Sequence, residues 1–294
     1  MISKRQITQE IDGLISLKGL VEVYEEVAAG RMQKIRGAVL QSRLFLNGLL
    51  GVFSRVKAAY LKDPSVVVST RARNGKMVAV FVSANSGLYG DIVDRVFEEF
   101  AAFVKQKNPD IVVLGKLGVK MMSDRLPGRL FNYYDFSDDG VEAESFRMIM
   151  RYLIQFEKIM VFYGQFKTIL NQQPVVTSVS GDAMAAEEDV VVDATGRKVA
   201  RRYLFEPSIE EVAKVFEGEI LASVFEQTLH ESQLSKFASR MLALDHSVEN
   251  IEKRMGFIKL ESVRLKHKLM NKKQLGRISG LTLWAGRSRG RNYA

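Results

Sequence analysis

The stretch Leu234–Leu269, LSKFASRMLALDHSVENIEKRMGFIKLESVRLKHKL, decides the fold of this chain. Its apolar positions fall at Leu234, Phe237, Met241, Leu244, Val248, Ile251, Met255, Ile258, Leu265 and Leu269, with Ser262 keeping the spacing. The steps alternate between three and four. An ordinary amphipathic helix drifts toward a period of about 3.6 residues, whereas a strict 3.5 period holds one stripe against a partner helix. The segment is therefore expected to form a coiled coil.

A partner stands at the other end of the chain. Ile7, Ile11, Leu14, Lys18, Val21, Glu25, Ala28, Met32, Ile35, Val39, Ser42, Leu46, Leu49, Phe53, Val56 and Tyr60 follow the same spacing, with polar residues only at Lys18, Glu25 and Ser42. No proline precedes Pro64, which permits a single helix of about 80 Å at roughly 1.5 Å per residue. Gly13, Gly19, Gly30, Gly37, Gly48 and Gly51 interrupt it. Each weakens a helix by roughly 1 kcal/mol relative to alanine, so a partner is needed along most of its length, and small residues also permit close approach. Pairing with the C-terminal helix makes the two antiparallel, with positions such as Val39 and Ile251 and their neighbours expected to face each other.

Between Lys62 and Pro207 the pattern changes to short apolar runs with turn signals. Ser65–Thr70 and Met77–Ser83 read as strands of a hairpin turning at Asn74-Gly75. Further strands are expected at Ile111–Gly115, Lys158–Gln165, Val175–Ser180 and Ala200–Phe205, and helices at Asp91–Lys107 and Ser145–Phe156. Gly181–Lys198, acidic at its centre, reads as an exposed loop or hairpin. Alternating strands and helices predict an α/β domain. The expected organisation is an N-terminal coiled-coil helix over 1–61, a central α/β domain over 62–207, a C-terminal coiled-coil helix over 208–276 and a basic tail over 277–294.

Within the middle region, SANSGLYG at Ser83–Gly90 has the outline of a phosphate-binding turn between a strand and a helix. A Walker loop needs G-x-x-x-x-G-K-[ST] and a dinucleotide loop G-x-G-x-x-G, so that backbone N–H groups close on phosphate. Here only Gly87 and Gly90 are present, without the lysine or the first glycine of the triplet, and Asp91 opens the helix with its own negative charge. The loop reads as a tight strand-to-helix turn, with no cofactor.

Composition narrows the chemistry further. The 294 residues contain no cysteine, and His230, His246 and His267 share no ligand spacing, so no metal site is expected. The start, MISKRQITQEIDG, lacks the apolar run of an export signal, and no stretch approaches the ~20 apolar residues of a membrane span. A soluble or peripheral protein is expected. Net charge is +9, and residues 262–294 carry nine Lys and Arg with no Asp or Glu, so the remainder is neutral. Such an end calls for an acidic partner.

Several local sequences now resemble one family, the gamma subunit of rotary F-type ATP synthases. Val27-Ala28-Ala29 followed by Arg31, SANSGLYG where the family typically has SDRGLCG, SRMLALDHSVEN at Ser239–Asn250 where it has ARMVAMKNATDN, and Ser279-Gly280 occur in the family's order. The resemblance implies two terminal helices in an antiparallel coiled coil around a Rossmann-like α/β domain. It implies a non-catalytic central shaft that couples proton or sodium transport to ATP synthesis or hydrolysis. The implied partners are the alpha and beta subunits of the catalytic ring, with an epsilon-like subunit and a membrane c-ring at the base. The implied location is the cytoplasmic face of the cell membrane, as a peripheral part of the complex. Partner-ring contacts are implied at Glu25, Glu26, Arg31, Lys266, Lys268, Lys272, Lys273 and Arg277. Glu25-Glu26 replaces the family's usual Lys-Met pair, and lysines between Lys266 and Lys273 replace its glutamine- and glutamate-bearing stretch. The alternative reading is a nucleic-acid-binding coiled-coil protein that uses GRSRGR with Trp284 and Tyr293.

Overall fold

The computed structural model describes residues 4–61, 74–138, 140–179, 191–192, 198–199, 206 and 208–289. Helix α1 covers Lys4–Leu61 and helix α5 covers Ile209–Arg289. Between them lie β1 (Met77–Val82), α2 (Ile92–Lys107), β2 (Asp110–Leu114), α3 (Lys116–Arg125), β3 (Asn132–Tyr134), α4 (Ala143–Leu153), β4 (Lys158–Thr168), β5 (Asn171–Ser178), β6 (Val191–Val192) and β7 (Lys198–Val199). The chain divides into two compact units: Met1–Glu26 with Leu244–Ala294, and Val27–Ala243.

In the unit of residues 27–243 the sheet order is β3-β2-β1-β4-β5. β1 runs parallel to β2 and β4, β2 parallel to β3, and only β5 is antiparallel, as a hairpin with β4. β1 reads MVAVFV without alternation because both of its faces are covered. Ala79 and Phe81 pack with Phe97, Phe100, Met122, Ala28, Ile35, Val39, Leu234 and Phe237 on one side. Val78, Val80 and Val82 pack with Ile149, Leu153, Leu221, Phe225 and Leu229 on the other. Helix α5 thus supplies side chains to both cores, and α1 to one. Phe53 of α1 also meets Phe216 of α5, their ring centroids 6.1 Å apart.

Both neighbours of β1 are helix-connected parallel strands, which leaves no edge for the hairpin expected at Asn74-Gly75. Residues 65–70, and the strand expected at 200–205, lie outside the described residues. The observed hairpin is instead β4–β5, whose register closes at Thr168 and Asn171. β6 and β7 pair antiparallel within the segment expected to be a loop or hairpin.

The heptad spacing is visible as burial. Every described seam position from Ile7 to Phe53 is buried or half-buried, including Lys18, Glu25 and Ser42. In the unit that joins the chain ends, Ile7, Leu244, Ile251 and Ile258 are buried, Lys18 donates to Glu252 at 2.6 Å, and Arg254 donates to Glu10 at 2.8 Å. In the other unit Arg43 meets Glu231, and Arg31 lies over Phe237. Partners on α5 fall as α1 numbers rise, so the helices are antiparallel. The register corrects one expected pair. Val39 shares a core with Leu234 and Phe237, whereas Ile251 belongs with the residues around Lys18.

The six glycines of α1 do not serve close helix approach. A Cβ built on Gly13, Gly19, Gly30, Gly37, Gly48 or Gly51 meets nothing within 4 Å, because the heptad places all six away from the seam. The basic end is not a separate element either, since α5 continues through residues 277–289. Among the described residues no helix is long and apolar enough to cross a membrane.

Candidate functional site

The loop Ser83–Gly90 lies beyond the carboxyl end of β1, in the crevice where open α/β sheets bind ligands. Here the chain fills that crevice itself. The backbone N–H groups of Asn85 and Ser86 donate to Asp138 Oδ2 at 2.9 and 3.0 Å, and the Ser86 hydroxyl adds a third contact at 3.2 Å. Asp138 therefore occupies the place an anion would take. This explains in atoms why the turn lacks the lysine and glycines of a phosphate loop.

Helix α5 locks the same loop from the other side. Lys236 Nζ lies 3.1 Å from Asp138 Oδ1 and donates to the Ser83 carbonyl at 2.8 Å. Ser239 donates to the Tyr89 carbonyl at 2.8 Å, and Arg240 donates to the Gly87 carbonyl at 2.6 Å and to the Ser86 hydroxyl at 3.1 Å. The Arg240 guanidinium also stacks 4.1 Å from the Tyr89 ring centroid. One turn of α5 thus holds both ends of the loop, within which Leu88 takes a left-handed conformation with φ 67°.

Burial works against charge on both Lys236 and Asp138. Burial pushes the Asp138 carboxyl up, but the Lys236 ammonium and the two amide donors outweigh it and hold the group below its ordinary value. Burial also pushes the Tyr89 phenol up to about 12, so it stays neutral at any physiological pH. A second buried carboxylate, Glu231, accepts from Arg43 Nη2 at 2.7 Å and Gln227 at 3.1 Å, with Tyr163 and Gln165 at 3.5 Å. It ties α1, α5 and β4 to one another.

Gly90 has φ +59°, and a Cβ there would lie 2.5 Å from Ser239 Oγ, so the close pass of α5 requires glycine. Gly87, by contrast, faces open space. Asp91 makes no capping hydrogen bond and lies 3.8 Å from Arg95, so its service to α2 is charge alone.

The residues implied as ring contacts do not gather in one place. Glu25 is half-buried in the seam and Glu26 is exposed. Arg31 lines an open groove of about 510 Å³ with Asn85, Asp135 and Glu142. Lys266, Lys268, Lys272, Lys273 and Arg277 are exposed along α5. Sequence reasoning passed over Lys236, Asp138 and Glu231. The available signal was Ser232, Ser235 and Ser239, small polar residues at helical spacing that mark α5's second buried face.

Comparison with known proteins agrees with this architecture. The family profile described as ATP synthase matches residues 3–267. The ATP synthase gamma chain of Cytophaga hutchinsonii is 23% identical over 297 residues, which covers 95% of this chain and 98% of that protein. The gamma chain of Pelotomaculum thermopropionicum is 25% identical over 261 residues, covering 85% and 88%. A chain from the OSCP/F1/c-ring assembly of Euglena gracilis mitochondrial ATP synthase shares the fold with TM-score 0.65 at 14% identity, covering 99% of this chain and 98% of its own length. Another, from the central stalk/c-ring of Tetrahymena thermophila mitochondrial ATP synthase, does so with TM-score 0.55 at 19% identity, covering 78% and 99%. With the profile spanning nine-tenths of its length, the chain belongs to the ATP synthase family, as a gamma chain.

Proposed function

We propose that this chain is the central rotor shaft of a rotary ATP synthase and carries no active site of its own. It turns within a ring of nucleotide-binding alpha and beta subunits, with an epsilon-like subunit and a membrane c-ring at its base, in a peripheral complex at the cytoplasmic face of the membrane. The observation that carries this reading is the clamp between α5 and the sheet: the crevice where an α/β domain would bind a nucleotide is occupied by Asp138, Lys236 and Arg240. A domain so closed is built to hold a helix, and α5 runs unbroken from that clamp to residue 289.

A rod acts on a surrounding ring by presenting unlike faces to its members, which biases their conformational equilibria. Supporting this, the outward face of α1 bears exposed Ile15, Leu20, Val23 and Tyr24, while α5 bears exposed Phe257, Leu260 and Val263. Apolar side chains exposed in such numbers mark contact surfaces. The ring-facing residues in this proposal are Glu25, Glu26, Arg31, Lys266, Lys268, Lys272, Lys273 and Arg277.

The test is reconstitution of the full chain with the alpha and beta subunits of its own complex. ATP hydrolysis should depend on the chain, and a bead fixed to the α/β domain should rotate in one direction. Absence of a complex, with retention of RNA on the purified chain instead, would favour the nucleic-acid reading.

A further inference from the structure

A surface helix ordinarily turns charged and polar residues away from its core, and α1 breaks that rule within the unit of residues 27–243. Between Gly37 and Ser54 the one charge is Arg43, and that side chain turns to Glu231. At about 100° per residue, the part of 37–52 that lies away from the seam fills an arc of roughly 140° and holds no charge. Leu40, Leu44, Phe45 and Val52 stand exposed on it, Leu44 by 73%, and Gln41 is its only polar side chain. A contiguous apolar face of this kind marks a place where something docks.

Relief and charge indicate the occupant. Gly37, Gly48 and Gly51 share the arc, and a Cβ on any of them meets nothing within 4 Å. They surround Leu44 with hollows into which the side-chain ridge of a second helix fits. The rim is cationic. Residues 27–62 hold seven Lys and Arg with no Asp or Glu, and exposed Lys34 and Arg36, where the face begins, form no ion pair among the described residues. A lipid surface gains nothing from hollows, because each glycine only subtracts apolar area from the contact. A second copy of this chain would bring the same acid-free rim against those cations.

We infer that the face from Gly37 to Val52 receives one amphipathic helix of a partner protein. That helix lays an apolar ridge over the glycines and sets carboxylates against Lys34 and Arg36. The face is about 24 Å long, the span of some four helical turns. The inference does not depend on the rotor reading, since this side of α1 neither meets α5 nor includes the ring-facing residues named above.

The test places photoreactive benzoylphenylalanine at Leu44 of the full chain, expressed in its own host, and maps the linked peptide by mass spectrometry. The expected result is a link to an apolar helix of another protein that bears Asp or Glu, with the yield lowered about tenfold by Lys34→Glu combined with Arg36→Glu. Gly48→Leu separates the alternatives, since leucine favours the helix itself. It fills a hollow and should lower the yield about tenfold, whereas it would strengthen attachment to a lipid surface. Unchanged cooperativity of urea unfolding checks that both variants are folded. The inference is overturned if the probe links only to lipid, only to a second copy of the chain, or to nothing. It is equally overturned if either variant leaves the yield unchanged or raises it. Binding to phosphatidylglycerol vesicles that rises with Gly48→Leu would assign the face to a membrane instead.

Discussion

Lys236 and Asp138, 98 residues apart in sequence, bring an ammonium to 3.1 Å from a carboxylate with both side chains less than a tenth exposed. The pair connects α5 to the loop after β3, while Asp138 simultaneously holds the amides of the loop after β1. Removing Lys236 as Lys236→Met should cost about 3–5 kcal/mol, because the orphaned carboxylate stays buried. Urea unfolding measures this, and adding Asp138→Asn to Lys236→Met should restore part of the loss.

The same pair sets an acid limit. Asp138 is held below its ordinary value of 3.8, so its stabilising contribution is fully present above that pH and is lost as pH falls through the lower folded value. Urea midpoints measured from pH 5 down to pH 2 should therefore converge between the parent chain and Asp138→Asn. A gap that stays constant over this range would show that the carboxylate charge contributes nothing.

Gly90→Ala should destabilise by about 1–3 kcal/mol, since it combines an unfavourable positive φ with a contact on Ser239. Adding Ser239→Ala removes the nearest contact and leaves the backbone strain. The double variant should thus lose less than the two single losses combined, a coupling that a double-mutant cycle reads directly.

The helix register is testable without background thiols, because the chain has no cysteine. A flexible bismaleimide should join Lys18→Cys to Glu252→Cys within one chain, as their side chains touch at 2.6 Å. The Val39→Cys and Ile251→Cys pair should give no intramolecular product. The reverse result would displace α1 along α5 by several turns.

Calorimetry of the chain with ATP, ADP or NAD should show no binding. The amides of Asn85 and Ser86 are already engaged by Asp138, and any phosphate would have to displace a carboxylate. Micromolar binding that a Gly90→Val change abolishes would reverse this assignment.

How far each feature could be read in the sequence depended on how local its cause was. The seam from Ile7 to Phe53 was legible residue by residue, since a 3.5 period is written directly into the order of apolar side chains. Strands β1, β2 and β4 were legible as apolar runs. The short strand β3 was not, because three residues of NYY carry no period. The hairpin at Asn74-Gly75 misled because the turn residues are suitable while the pairing of β1 is decided by distant strands. The clamp on the loop was legible only in half. Gly87 and Gly90 announce a turn, but the partner that fills it, Asp138, lies 52 residues beyond Ser86, and Lys236 lies 98 residues beyond that.

The open space around the glycines of α1 bears on what keeps that helix helical. All six positions accept a methyl group without steric cost, and each substitution to alanine would strengthen the helix by roughly 1 kcal/mol. Six such positions together weaken the intrinsic helicity of α1 by several kcal/mol, so its helical form is held by the seam it buries rather than by its own backbone preference.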